Sequence, residues 1–209
     1  MRALVVTCFV VVAACGRTEA EGEAPGSGSS STTSDLSAKE QARFDSERRP
    51  DKIIDALGIG PGSRVADIGA GSGLLTVHIA RAVAPSGHVV ATDIDSASLD
   101  LLAQRIKAAG FSDVVERRVV AAEATGLEDG TYDAILLAEV DHFFTDPAAW
   151  LKSASQALKP GGRIVISNRI YHRAQSMAAA RKAGLVLKSE SNPVATHFIA
   201  VFVIGETKK

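Results

Sequence analysis

The sequence predicts an α/β fold: a doubly wound, mostly parallel sheet of seven strands, with helices on both faces and an antiparallel last strand. Strand-like segments alternate with segments of helical periodicity along most of the chain, which is typical of this class. The segments AILLA (134–138) and RIVIS (163–167) are apolar at every position, as expected of strands covered on both faces. Asn192-Pro193 separates the last two strand segments and indicates a hairpin-like reversal, which makes one strand antiparallel.

Caps, prolines and glycines predict where the elements begin and end. Ser37 and Glu40 have the spacing of a capping box, so a helix is predicted to begin there. Pro50 suits the first turn of the next helix, which is predicted to stop near Gly58. Further helices are predicted at 74–83, 96–109, 148–158 and 173–183. Strands are predicted at 65–68, 89–92, 115–120, 134–138, 163–167, 185–189 and 198–204. The segment 159–162, Lys-Pro-Gly-Gly, is predicted to be a turn into the fifth strand.

Length, composition and charge restrict the class of protein. The chain has 209 residues, of which 46% are hydrophobic, enough for one folded domain with an appendage and too many for a wholly disordered chain. The formal net charge of −1 provides no basic surface for nucleic acid, which is therefore not an expected partner. The sequence lacks the run of roughly 18 apolar residues that a membrane-spanning helix needs.

The N-terminus has the layout of a secretory signal. Met1-Arg2 is a short positive start, and residues 3–14 are almost entirely apolar and end in small residues. Val12-Ala13-Ala14-Cys15 resembles a bacterial lipobox, in which the cysteine becomes the lipidated first residue. We therefore expect a signal peptide at 1–14, lipidation of Cys15, and a location in the bacterial cell envelope, on the periplasmic face of the outer membrane. The alternatives are an ordinary signal peptide, or a start codon placed upstream of a cytoplasmic enzyme.

Behind Cys15 the composition predicts a tether and then the folded domain. Residues 15–36 are rich in Gly, Ser, Thr and Glu and offer little to bury, so they are predicted to be a flexible tether, with the domain at 37–209. Cys8 and Cys15 are the two cysteines of the chain, so the domain contains neither a disulfide nor a thiolate ligand. Its His, Asp and Glu residues lack metal-ligand spacing, and we expect no metal.

A glycine-rich turn follows the first predicted strand. Gly69, Gly71 and Gly73 allow a tight turn and a close approach of backbone to a ligand, beyond the carboxyl end of the strand where α/β sheets bind ligands. The alternative is a tight strand-to-helix turn without a ligand. Asp67 precedes the turn, and Asp93 ends the second strand 20 residues after Gly73, where a carboxylate can accept both hydroxyls of a ribose.

These segments together resemble a known family. VADIGAGSG, VVATDID, AAEATGLEDGTYDAILL and LKPGGRIVIS resemble the successive motifs of class I S-adenosylmethionine-dependent methyltransferases, which have a Rossmann-like sheet. The likeness runs from about Arg49 to Phe202 and is greatest to small-molecule enzymes of the type 11 group. That group implies S-adenosylmethionine as the cofactor and a small-molecule acceptor. Bacterial members of the group have a tyrosine-His-His-Phe-x-Asp-Pro stretch after the fourth strand. In this sequence Asp141 stands in place of the tyrosine and Phe143 in place of the second histidine.

The resemblance implies roles for individual residues. Asp67 and the turn Gly69–Gly73, including Ala70 and Gly71, would contact the methionine part of the donor. Asp93 would hold the ribose, with Ile94 beside the adenine. Glu123 stands where the family often has an Asp near the adenine amino group, Ala124 follows it, and Glu139 is a further candidate for donor binding.

The residues after the fourth strand are the candidates for catalysis. His142 is the best-placed general base for an acceptor that must lose a proton, and Glu139 is a second candidate. Two other functions remain open: an exported binding module or pseudoenzyme on the same fold, and a nicotinamide-dependent dehydrogenase. Leu74 disfavours the dehydrogenase, because a dinucleotide-binding turn would have Gly or Ala there. The sequence leaves the oligomeric state open.

Overall fold

A computed structural model describes residues 29–205, with side chains from Ser37 onward. The predicted signal peptide, Cys15 and most of the predicted tether lie outside these residues. The helices are α1 (Ser29–Arg48), α2 (Pro50–Leu57), α3 (Thr76–Val83), α4 (Ser96–Ala108), α5 (Pro147–Gln156) and α6 (Arg173–Lys182). The strands are β1 (Arg64–Ile68), β2 (His88–Asp93), β3 (Val115–Val119), β4 (Tyr132–Ala138), β5 (Leu158–Arg169), β6 (Leu185–Val194) and β7 (His197–Ile204). Short 3-10 turns cover Asp141–Phe143 and Ile170–His172.

The seven strands form one sheet in the order β3-β2-β1-β4-β5-β7-β6. The pairs from β3 to β5 are parallel, whereas β7 runs antiparallel to both of its neighbours, β5 and β6. The predicted fold, a mostly parallel sheet with an antiparallel last strand, is confirmed. The order reverses beside β1, so the segments that follow β1, β2 and β4 meet at one edge of the sheet.

The central strand β4 shows why the strands are apolar at every position. Ile135 and Leu137 pack with Trp150 and Leu151 of α5 on one face of the sheet. Ala134 and Leu136 point to the other face, where Ile53 of α2, Ile79 of α3 and Leu99 of α4 pack. Successive side chains of a strand alternate between faces, so covering both faces requires an unbroken apolar run.

The two outer strands have a different composition from the centre. β3 (VERRV) and β6 lie at the sheet edges and are largely exposed, and β3 carries Glu116, Arg117 and Arg118. Charged side chains on an edge strand discourage pairing with another chain.

Three element boundaries differ most from those predicted. The helix predicted to begin at Ser37 begins at Ser29 and so includes the end of the predicted tether. Once a helix is nucleated and docked, adding residues at its end fixes few dihedrals for each hydrogen bond gained. The Lys-Pro-Gly-Gly segment at 159–162 is an irregular stretch within β5, between the pairs Tyr132–Leu158 and Ala134–Arg163. Asn192 and Pro193 lie inside β6, and the chain reverses at residues 195–196, where Val194 pairs with His197.

Candidate functional site

Two cavities lie side by side at the carboxyl ends of β1, β2 and β4. The first has a volume of about 150 Å³ and is lined by the glycine turn, by Asp67 and by the end of α1. The second has a volume of about 420 Å³ and is lined by Asp93, Ile94 and the loops after β3 and β4. Gly69 and Glu139 line both cavities. The two cavities therefore form a bipartite cleft, with its two halves on either side of these residues.

The glycine turn requires glycine for both backbone and packing reasons. Gly69, Gly71 and Gly73 have φ values of 66°, 54° and 83°, in the left-handed region that side chains disfavour. A Cβ at Gly69 would stand 2.8 Å from Cγ2 of Val140, and one at Gly73 would stand 2.8 Å from Cγ of Leu102. The glycine turn therefore packs directly against the loop after β4 and against α4. This packing holds the backbone of the turn at the floor of the cleft.

Asp93 ties the glycine turn to the end of β2. Its Oδ2 accepts a 2.8 Å hydrogen bond from the backbone N–H of Gly71, and its Oδ1 accepts a 3.0 Å bond from that of Asp95. Each carboxylate oxygen retains a further lone pair, and Asp93 lines the larger cavity. Asp93 can therefore accept hydroxyl groups of a ligand there. Asp95 instead caps α4, accepting from the N–H groups of Ala97 and Ser98.

Asp67 is an almost fully buried acid on the wall of the smaller cavity, with 2% of its surface exposed. Burial raises its pKa from the ordinary value to about 7; the hydrogen bond from Thr76 opposes this rise, and the negative charge of Asp93 adds to it. The Thr76 hydroxyl donates to Oδ2 over 2.7 Å. A cationic group in the cavity would favour the ionised form of Asp67, so this residue can bind an ammonium group.

The residues predicted to lie near the adenine separate into two groups. Ile94, which is 65% exposed, and Ala124 line the larger cavity. Glu123 does not line it: its Oε1 accepts a 3.0 Å hydrogen bond from the backbone N–H of Thr145, joining the loop after β3 to the loop after β4. The structure thus places Glu123 as a brace between two loops, and its role toward a ligand stays a prediction.

Glu139 is the centre of a cluster of charges between the two cavities. Its Oε2 accepts from Nη1 of Arg48 over 2.6 Å, and its Oε1 lies 2.9 Å from both Nε of Arg169 and Nε2 of His197. Burial alone would raise the pKa of Glu139, but the His197 hydrogen bond and the charges of Arg48 and Arg169 lower it to about 2. A carboxylate held ionised by three donors is a weak base, so the geometry favours a positioning role for Glu139 over its predicted catalytic one.

His142 is oriented by a buried polar network and lines neither cavity. Asn168 fixes the arrangement, because its Oδ1 accepts from the backbone N–H of Arg169 and its Nδ2 donates to Asp141 over 2.6 Å. The same amide nitrogen stands 3.0 Å from Nδ1 of His142, and Ser176 donates to the other oxygen of Asp141.

This network determines which ring nitrogen of His142 carries the proton. With an amide donor at Nδ1, the neutral ring holds its proton on Nε2. The ring stacks on His172, with centroids 4.0 Å apart, and burial together with the charge of His172 lowers the pKa of His142. The lone pair that a general base needs is therefore engaged by Asn168, and the catalytic role of His142 stays a prediction.

Sequence reasoning missed residues that reach the cleft from distant parts of the chain. Phe44 and Arg48 of α1 line the smaller cavity, while Phe143 and Trp150 line the larger one. Arg49, where the family likeness begins, points elsewhere and pairs with Asp51 at the surface. Arg48 directly precedes Arg49 in the sequence, but the direction of its side chain depends on how α1 docks.

The described residues show no grouping of three or more His, Cys, Asp or Glu side chains able to hold a metal ion. Within the same part of the chain, no helix combines the length and apolar character needed to cross a membrane.

Comparisons with known proteins show which family and which folds this chain is similar to. Residues 66–164 match the type 12 family described as a methyltransferase domain, whereas the motifs quoted above resemble the type 11 group. A segment of 113 residues is 33% identical to the ubiquinone/menaquinone biosynthesis C-methyltransferase UbiE of Vibrio cholerae and covers 54% of this chain. The aligned part spans 44% of the length of that relative.

Solved structures share the fold. A SAM-dependent methyltransferase from Aquifex aeolicus superposes with a TM-score of 0.73 and 19% identity, covering 82% of this chain and 98% of the other. Geranyl diphosphate C-methyltransferase from Streptomyces coelicolor, solved with S-adenosyl-L-homocysteine, gives a TM-score of 0.65 and 18% identity, with 78% and 80% covered. At these identities the superpositions show a shared fold and carry no residue-level role.

Proposed function

We propose that this chain transfers a methyl group from S-adenosylmethionine to a small-molecule acceptor, because residues 66–164 match a methyltransferase domain and a solved C-methyltransferase of the same fold was determined with S-adenosyl-L-homocysteine. The observation that carries the proposal is the bipartite cleft. One half presents Asp67 and an arginine to a charged amino-acid group, and the other presents the Asp93 carboxylate and apolar walls to a nucleoside. The residues present fit this cofactor, since each polar end of it meets a group of suitable charge.

S-adenosylmethionine supplies a methyl group on a positively charged sulfur. The chain's own contribution is placement: the glycine turn forms the floor of the cleft, Asp93 accepts hydroxyls, and Glu139 holds the loop after β4 against Arg48 and Arg169. Positioning two reactants accounts for a large part of the acceleration in such transfers.

We propose carbon as the acceptor atom. Glu139, which lines both halves of the cleft, is held ionised by three donors, and His142, which lies outside the cleft, has its lone pair engaged by Asn168, so neither predicted catalytic residue offers a strong base. An electron-rich ring carbon would take the methyl group through its π electrons, with S-adenosylhomocysteine as the leaving group, and would release its ring proton to water afterwards, whereas a hydroxyl acceptor needs a base to remove its proton first. The Vibrio and Streptomyces proteins are named as C-methyltransferases, which supports the same choice.

A radiolabel transfer assay tests this activity. The purified protein is incubated with S-adenosylmethionine carrying a labelled methyl group and with panels of phenols, quinols and amines. We expect label on a ring carbon of a phenol or quinol, located by NMR, and about tenfold less label with Asp93→Ala at a donor concentration below saturation. Label on oxygen or nitrogen would contradict the choice of carbon. Donor binding without transfer to any panel member would favour the second candidate, a binding module without turnover, which the engaged state of Glu139 and His142 also supports.

We also propose that Cys15 is lipidated and that the domain is tethered in the cell envelope. The support is the sequence Val12-Ala13-Ala14-Cys15 followed by the tether composition, all of it outside the described structure. An exported enzyme would need its donor outside the cytoplasm, which makes localisation a separate question from activity.

A further inference from the structure

Arg48 is a buried cation, and only some of its N–H donors have a hydrogen-bond partner. It is the last residue of α1, its side chain is 11% exposed, and it lines the smaller cavity. Nη1 donates to Glu139, but Nε and Nη2 are buried and find no hydrogen-bond partner among the described residues. Buried polar groups are nearly always satisfied, so two orphaned donors on a guanidinium beside a cavity indicate an acceptor that comes from a ligand.

The chemistry of the cavity defines that acceptor. A guanidinium is planar, permanently charged and forked, and it matches a carboxylate through paired N–H donors. Asp67, on the wall of the same cavity of about 150 Å³, is suited to a cationic group. One small ligand group that meets both therefore carries a carboxylate and an ammonium, which describes an α-amino acid.

Glu139 explains why the guanidinium is held in this position. Its Oε2 accepts from Arg48, while Arg169 and His197 contact Oε1 from the opposite side. Glu139 also has a φ of 55°, an uncommon backbone conformation for a residue with a side chain. Such conformations persist where the surrounding structure enforces them, often at ligand sites. Glu139 thus acts as a positioning residue for Arg48.

We infer that Arg48 binds the α-carboxylate of the amino-acid part of S-adenosylmethionine, with Glu139 holding the guanidinium in place. The inference rests on the proposed function and deepens it by naming a recognition residue outside the glycine turn. It also gives α1 a function. Asp45 and Gln41 of this helix hydrogen-bond His78, and its Glu40 accepts a hydrogen bond from Arg105. These contacts dock α1 on the domain, so that Arg48 lies at the cleft.

The test compares two ligands that differ by one carboxylate, S-adenosylmethionine and its decarboxylated form, by titration calorimetry. The wild-type protein is expected to bind the decarboxylated ligand about 10- to 100-fold more weakly, the range for a hydrogen-bonded charge pair. Arg48→Ala should bind S-adenosylmethionine more weakly by a similar factor and should no longer distinguish the two ligands. Arg43→Ala is the matched control: Arg43 lies on the same helix, is exposed and pairs with Glu47, so it should bind like the wild type.

Two further variants separate recognition from folding. Arg48→Lys retains a charge but not the fork, so discrimination between the ligands should fall without disappearing. Glu139→Gln keeps Arg48 but weakens its support, and discrimination should also fall. Thermal unfolding of each variant shows whether it is folded under the assay conditions.

The outcomes are distinguishable. If the wild type binds neither ligand, the proposed function fails. If the wild type distinguishes the two ligands and folded Arg48→Ala or Arg48→Lys does so by the same factor, only the role of Arg48 is overturned. Equal binding of both ligands by the wild type would also overturn that role.

Discussion

At the scale of single residues, Asp67 makes the stability of the protein depend on pH. Its pKa is raised to about 7 in the folded state by burial, against about 3.8 when exposed. Between these values the folded protein keeps a proton that the unfolded chain has lost, so the free energy of unfolding falls as pH rises and levels off above pH 7. Asp67→Asn removes this penalty. Its stability relative to wild type should therefore rise between pH 4 and pH 7 by up to about 4 kcal/mol, since one pKa unit is about 1.4 kcal/mol.

Urea unfolding of both proteins across this pH range checks the prediction. A constant difference between Asp67→Asn and the wild type would show that Asp67 titrates normally in the folded state.

Replacement of Asp93 tests its proposed contact with the ligand, and replacement of the neighbouring Asp95 is the control. Asp93→Ala removes a carboxylate proposed to accept ligand hydroxyls, each charged hydrogen bond being worth about 1.5–3 kcal/mol. Affinity for S-adenosylhomocysteine, measured by calorimetry, should fall by at least tenfold. Asp95→Ala removes only the cap of α4, so it should cost about 1 kcal/mol of stability and leave affinity unchanged. Equal affinities in the two variants would remove Asp93 from the ligand site.

The site residues that stand at strand ends could be predicted from the sequence. The residues that reach the site through the docking of distant elements could not. Asp67, the glycine turn and Asp93 follow directly from their places at strand ends, so they could be predicted. Arg48 reaches the cleft only because α1 docks across it, and α1 precedes every motif of the domain. The direction of His142 depends on Asn168 and Asp141, which are distant in sequence from each other, so spacing could not reveal that its lone pair is engaged.

At the scale of elements, the turn between β1 and α3 depends on contacts as well as on φ. Gly73→Ala would place a Cβ 2.8 Å from Leu102 at a φ of 83°, whereas Gly60→Ala meets no atom within 4 Å and has no positive φ. The left-handed conformation alone costs about 1–2 kcal/mol for a residue with a side chain. Gly73→Ala should therefore lower the midpoint of thermal unfolding by several degrees, and Gly60→Ala should change it little. Similar midpoints for both variants would show that α4 can move away from the turn.

The type of each element, helix or strand, could be predicted because it depends on local periodicity. The boundaries of the strands depend on pairing with neighbouring strands, which local sequence does not show. Asn192-Pro193 predicted a reversal, yet Val194 pairs with His197 and moves the turn to residues 195–196. The Lys-Pro-Gly-Gly segment stays within β5, because Leu158 pairs with Tyr132 before it and Arg163 pairs with Ala134 after it. In both cases the partner strand, which local sequence does not specify, decides where the strand ends.

At the scale of the whole molecule, the N-terminal anchor is a prediction independent of the fold. Radiolabelled palmitate should enter the wild-type protein expressed in a bacterial host and should not enter Cys15→Ser. The thiol of Cys15 is the proposed attachment point, while Cys8 lies within the predicted signal peptide. Labelling of both proteins, or of neither, would contradict lipidation at Cys15 and would favour an ordinary signal peptide or a cytoplasmic enzyme.

The sheet order and the two-sided core bring the ends of β1, β2 and β4 together, and we propose that this edge of the sheet binds S-adenosylmethionine. Calorimetric titration of the purified protein with S-adenosylhomocysteine, and separately with NAD, tests it most directly. We expect saturable one-to-one binding of S-adenosylhomocysteine and no binding of NAD at the same concentrations. Binding of NAD in its place, or of neither ligand by a protein shown to be folded, would contradict the assignment of this edge to S-adenosylmethionine.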